Sequence, residues 1–184
     1  VEGDASLLNQ PTISIIGSRQ PTAYGKDQAY AISKEVAGAG HVVVSGLALG
    51  IDTRAHEGAI AAGKTIAVLG SGLHSVYPKE NISLKHTIIY QGGAVISEYP
   101  PNTLPSKEAF PQRNRIIAGL SKSCVLIEGK KNSGSMGAME WALRYKRPLY
   151  ALPGPVDHGL FSGYDYKKFI EQTQIVPDFI IPTI

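Results

Sequence analysis

The segment Phe110-Pro-Gln-Arg113-Asn114-Arg115-Ile-Ile-Ala-Gly-Leu-Ser121 carries the most specific chemistry in the chain. Helical spacing predicts a short helix over 113–121, which puts Arg113 and Arg115 in its first turn. Cations are unfavourable there against the helix dipole, and an anion close by relieves the conflict. A phosphate at a helix N-terminus does so, held by backbone amides and guanidinium together. Lys107 and Phe110 stand just upstream. An aromatic ring among cations suits a single-stranded nucleic acid, because the ring stacks a base while the charges follow the backbone. The competing reading makes Phe110 a core residue and pairs the arginines with Glu98 and Glu128. Two further loops share this chemistry. Gly17-Ser18-Arg19 follows the first strand, and Ser133-Gly134-Ser135 opens a helix beside Lys130 and Lys131, an amide nest for an anion.

Other candidate motifs fit less well. Gly58-Ala-Ile-Ala-Ala-Gly63-Lys64-Thr65 spells a nucleotide-binding P-loop, but that loop needs a strand before it and a helix after it. Here the string closes a helix and opens a strand, so Gly63 reads as a helix end. Gly70-Ser-Gly72 lacks the third glycine of a dinucleotide fingerprint, and Ser45 stands where the ribose-binding acid belongs. Histidines 41, 56, 74, 86 and 158 are scattered and form no metal-ligand set with Cys124. His56 and Cys124 therefore read as structural. No GxSxG elbow occurs. Asp52, Glu98 and Glu128 fall near strand ends and read as groups that orient basic residues and cap loops. No catalytic residue, metal or cofactor is expected.

These loops need a scaffold. Strands are expected at 13–16, 42–45, 65–69, 94–97, 123–127 and 149–152, most of them ending in Gly or Ser. Helices are expected at 25–38, from Asp52 to Gly63, and at 80–90, 113–121 and 135–145. Near-continuous Val/Ile/Leu runs alternating with helices describe an α/β fold. The expectation is a doubly wound, mostly parallel sheet of about six strands in a three-layer α/β/α arrangement of Rossmann-like type. Such sheets bind ligands beyond the carboxyl edge, where Gly17, Ser18, Ser45 and Gly46 stand. The Pro-rich stretch between Tyr99 and Phe110 is long for a structureless loop and reads as a binding element. One domain is expected over 1–156. Residues 157–184 are read as an aromatic-rich strap packing on it, with a helix near 165–172.

At 184 residues with 43% hydrophobic and 18% charged content, the chain is an ordinary globular protein with ample length for a core. A net charge of +3 agrees with a nucleic-acid partner but is weak support. One cysteine rules out an internal disulfide framework. No apolar stretch is long enough to span a bilayer and no signal-peptide pattern opens the chain, so a soluble cytoplasmic protein is expected. The chain opens VEGDASLL without an initiator methionine, and a fragment or processed form is expected.

Read in order, IIGSR, VVVSGLALGID, AHEGA, IAVLGSGL, VYPKEN, ISEYPP, FPQRNRIIAGLS and SGS resemble the Rossmann-like domain of the DNA processing protein A family (DprA, also called Smf) over roughly residues 5–155. The resemblance implies sequence-independent binding of single-stranded DNA without catalysis, transfer of that DNA to the RecA recombinase in natural transformation, and a homodimer. It implies a DNA pocket lined by Arg19, Lys107, Phe110, Arg113, Asn114 and Arg115. Small polar groups there would come from Ser45, Gly46, Ser133, Gly134 and Ser135. The chain departs from the family pattern after SGS, where Met136-Gly-Ala-Met139 replaces a Leu-Ile-Thr-Ala stretch, and near Gly163-Tyr164-Asp165. The family's flanking helical and winged-helix domains find no match, so an excised core or a minimal member is expected. The alternative is a phosphoribohydrolase of the lysine-decarboxylase-like family acting on nucleoside monophosphates. Its PGGxGTxxE motif would fall on KKNSGSMGAME with Glu140 as the acid, but without the Pro-Gly-Gly.

Overall fold

A computed structural model describes residues 1–130 and 133–152, and the backbone of 173–175. The parallel strands are β2 (Thr12–Ile16), β3 (Val42–Ser45), β4 (Thr65–Val68), β5 (Ala94–Ile96), β6 (Ser123–Leu126), β7 (Leu149–Ala151) and β8 (Thr173–Ile175). A two-residue strand β1 (Glu2–Gly3) runs antiparallel beside β5. The order across the sheet is β1-β5-β4-β3-β2-β6-β7-β8. The chain thus winds outward from β2 to β5, then returns to place β6 on the other side of β2. That reversal makes the β2/β6 boundary the topological switch point, where a crevice opens beyond the strand ends.

Among the described residues five helices cover the sheet: α1 (Ala23–Gly38), α2 (Ile51–Ile60), α3 (Ile82–Tyr90), α4 (Ala109–Leu120) and α5 (Gly134–Arg144). Side chains alternate in direction along each strand, which feeds two cores. Ile13, Ile15, Val43 and Val125 pack under α1 and α2, and on the same face Ala67 and Val95 meet Ile88 of α3. Ile16, Val44, Val68 and Leu126 pack on the opposite face with Ile117 of α4 and Met139 of α5. The central strands are buried throughout, which explains their near-continuous apolar runs.

The three-layer doubly wound fold is therefore as expected, with two additions. β1 forms ahead of the first expected strand, and β8 extends the sheet past β7. The rest of the proposed strap over 157–184, including its helix near 165–172, lies outside the described residues. The P-loop-like string closes α2 and opens β4, as argued. Its first glycine answers a packing need: a Cβ on Gly58 would fall 2.2 Å from the Tyr30 carbonyl oxygen, where α2 crosses α1.

α4 starts four residues earlier than the spacing indicates, at Ala109. Pro111 then lies in its first turn, where a missing N–H costs nothing. Arg113 and Arg115 consequently sit a full turn or more inside the helix, and the argument from an unfavourable dipole at its start does not apply to them.

Candidate nucleic-acid interface

A groove of about 790 Å³ opens at the switch point. The loop after β2 supplies Gly17, Ser18 and Arg19, and the start of α5 supplies Ser133, Gly134 and Ser135. The segment leading into α4 and its first turns supply Lys107, Phe110, Arg113 and Asn114. The sequence missed Tyr77, Leu49 and Gln20 in this wall, while Lys130, expected beside the Ser133–Ser135 nest, is part of it. Three sequence-expected residues, Ser45, Gly46 and Arg115, are not part of the lining.

The reasons lie in what these groups already hold. Ser45 Oγ donates to the Ile15 carbonyl at 2.7 Å and is fully buried. Gly46 sits against Arg113, whose guanidinium nitrogen Nη1 would lie 2.6 Å from an added Cβ. Its own N–H donates to Asp52 Oδ2 at 3.0 Å. Arg115 pairs with Glu98 at the surface. The competing pairing of Arg115 with Glu98 is thus present, and such an exposed pair contributes about 0–1 kcal/mol.

Arg113 needs a similar correction. It is 4% exposed, and its Nη1 donates to the carbonyls of Gly46 (2.6 Å) and Val68. Burial brings its pKa down to about 10 against the pull of Asp52, which leaves it charged at neutral pH. The guanidinium is a strut between the β3 and β4 ends and only borders the groove. Asn114 is likewise a buried tie, its Nδ2 donating to the Gly134 carbonyl at 2.9 Å.

The loop from Gly46 to Gly50 shows how completely backbone groups can be used up. Ala48 N–H donates to Asp52 (3.4 Å), and Leu47, at φ 57°, donates its N–H to His56 Nε2 (3.3 Å). Asn81 Nδ2 donates to the carbonyls of Leu47 (2.9 Å) and Ala48 (3.2 Å). The expectation of bare amides here fails: Asp52 and His56 of α2 take the amides of residues 46–48, while Arg113 of α4 and Asn81 of the turn before α3 take their carbonyls. Burial raises the Asp52 pKa, opposed by Arg113 and by these amide bonds.

His56 is a fixed neutral ring. Thr65 Oγ1 donates to the Val43 carbonyl, so it accepts from His56 Nδ1–H at 2.8 Å, which leaves Nε2 as the acceptor for Leu47. Burial, helped by the Arg113 charge, pushes its pKa to about 3. Cys124 is buried with its thiol pKa raised to about 11 by burial, an inert packing group. Glu128 accepts from the Thr22 amide (2.9 Å) and hydroxyl, fixing the start of α1. The three acids therefore orient and cap, as the sequence suggested.

What remains open at the groove is cationic and aromatic. Arg19, Lys107 and Lys130 are exposed, and none has an acid partner within 4.0 Å among the described residues. The Arg19 guanidinium carbon lies 5.4 Å from the Phe110 ring centroid, over the ring. The Tyr77 ring packs against Phe110 at 5.6 Å and 48°. The Pro-rich loop that delivers Lys107 is held to the segment after β4 by Gly72 N–H to the Thr103 carbonyl and His74 N–H to the Pro101 carbonyl, both 2.8 Å. Glu140, the acid the phosphoribohydrolase alternative requires, is exposed on α5 and does not line the groove. No group of three or more metal-ligating side chains occurs among the described residues, and no helix there is long and apolar enough to cross a membrane.

Comparison with known proteins agrees with this arrangement. Residues 1–173 match the model of the DNA recombination-mediator protein A family. The DNA processing protein DprA of Bacillus subtilis is 44% identical over 170 residues, which cover 89% of this chain and 54% of that protein. The X-ray structure of DprA from Streptococcus pneumoniae superposes with a TM-score of 0.86 at 39% identity, covering 95% of this chain and 61% of that one. A structure of DNA processing protein A from Helicobacter pylori, described for its single-stranded DNA binding mode, also reaches 0.86 at 33% identity. It covers 96% of this chain and 80% of that one. The chain spans about half the length of the curated relatives it matches. It belongs to the DNA recombination-mediator protein A family, also called DprA or Smf.

Proposed function

We propose that this member of the DprA family binds single-stranded DNA without regard to sequence, along the groove at the β2/β6 switch point, and catalyses no reaction on it. The observation that carries the reading is the convergence of Arg19, Lys107 and Lys130, free of acids among the described residues, on a groove that also exposes aromatic surface. Phosphates take the cations, with the Ser133–Ser135 turn at the start of α5 as a further anion-friendly element. The single-stranded DNA binding of the Helicobacter pylori relative supports the same ligand. Phe110 serves this groove as part of its lining. Arg113 and Asn114 serve it indirectly, by holding the walls.

Transfer of the bound strand to the RecA recombinase, action as a homodimer and a cytoplasmic location complete the proposal. Family membership alone supports these three.

The test is fluorescence anisotropy with a labelled oligo(dT). Arg19→Ala and Lys107→Ala should each weaken binding several-fold while leaving the thermal melt in place, since both side chains are exposed. Unchanged affinity in both variants would refute the groove as the site.

A further inference from the structure

We infer that Tyr77 and Leu49 form a nucleobase subsite beside the cationic wall, with Phe110 as its support rather than as the stacking surface. The inference rests on the single-stranded DNA reading above and gives the base a place that the phosphate contacts do not. Phe110 is already occupied. The Arg19 guanidinium lies over its ring, Tyr77 packs against it, and its Cδ1 would be 2.8 Å from a Cβ on Gly70. Tyr77 is different: the residue is 48% exposed while lining the groove. Leu49, 40% exposed, lines the same groove. The other large exposed apolar residues described, such as Tyr90, Leu104 and Tyr145, lie outside it.

Exposed apolar surface on a mobile loop would offer little to a ligand, but these two walls are fixed to each other. Asn81, in the turn following Tyr77, is buried and donates to the carbonyls of Leu47 and Ala48, next to Leu49, and to Thr53 Oγ1 at 2.9 Å. Asp52 and His56 hold the same loop from below. The aromatic face is thus presented in advance of binding, which lowers the ordering cost. A flat π surface beside unpaired cations takes any base, because every base has a π-face. The subsite therefore adds affinity without adding sequence preference.

The test compares two oligomers of equal length at fixed salt on the 184-residue chain: oligo(dT) and the abasic deoxyribose-phosphate strand. Wild type should favour oligo(dT), and Tyr77→Ala should lower its affinity for oligo(dT) roughly 5- to 100-fold. The same variant should approach the wild-type affinity for the abasic strand, and Tyr77→Phe should keep most of the preference. Wild type binding both strands equally, or Tyr77→Ala keeping the full preference, would overturn the subsite while leaving the DNA reading intact. Wild type binding neither strand would overturn both.

Discussion

Replacing Arg113 with alanine separates a structural cation from a DNA-contacting one. The guanidinium is buried, charged at neutral pH and bonded to the carbonyls of Gly46 and Val68. Each charge-assisted bond contributes about 1.5–3 kcal/mol. Its loss strands two buried carbonyls and leaves the Asp52 carboxylate without its nearby positive charge. Breaking a buried charge arrangement from one side costs about 3–5 kcal/mol, so the two routes agree on the scale. For a chain of this size that corresponds to a fall in melting temperature of roughly 6–20 °C. Circular dichroism melts of Arg113→Ala and Arg19→Ala, run beside oligo(dT) binding, give the comparison. Arg19→Ala should lose affinity at an unchanged melt, and Arg113→Ala should lose the melt. If Arg113→Ala melts within about 2 °C of wild type yet fails to bind, Arg113 is a DNA ligand and the strut argument is wrong.

The neutral His56 ring sets an acid limb of stability. Its folded pKa of about 3 lies below the ordinary histidine value of 6.5, so between those limits the unfolded chain binds the extra proton and stability falls as pH falls. The slope should reach about 1.4 kcal/mol per pH unit. Asp52, with its pKa raised, acts in the opposite sense above the ordinary aspartate value of 3.8. His56→Gln should flatten the slope below pH 6 in urea titrations, and an undiminished slope would assign the limb to other groups. Arg115→Ala removes a surface pair with Glu98 outside the groove. It should cost no more than about 1 kcal/mol and leave oligo(dT) affinity within about twofold, and a tenfold loss would return Arg115 to the site.

The scaffold was legible because the central strands are buried on both faces. Ile13, Val43, Ile66 and Val125 sit in runs broken only by small buried polar residues such as Ser14, Ser45 and Thr65. β1 was not, since two residues, Glu2 and Gly3, carry no apolar signal and pair only because β5 presents an edge. The start of α4 was misplaced because Pro111 reads as a loop residue until its place in a first turn is known. Gly17, Ser18, Arg19, Lys107, Phe110 and the Ser133–Ser135 turn were found because strand ends and chain order bring them to one edge. Arg113 and Arg19 look alike in sequence. Only the carbonyls of two distant strands decide that one is spent inside. Ser45 and Gly46 were misread for the same reason: their partners, Ile15, Asp52 and Arg113, are supplied by packing across the sheet. Tyr77 escaped notice as a ligand surface because its exposure beside Phe110 is a tertiary fact.

The salt dependence of oligo(dT) binding tests the central claim most directly. Among the described residues three exposed cations line the groove, Arg19, Lys107 and Lys130, and a single strand releases about 0.7 counterions per neutralised phosphate. The logarithm of affinity against the logarithm of salt should fall with a slope of about −2, and Arg19→Ala should reduce its magnitude by about 0.7. A slope near zero, or one that Arg19→Ala leaves untouched, would contradict a groove that holds the phosphate backbone.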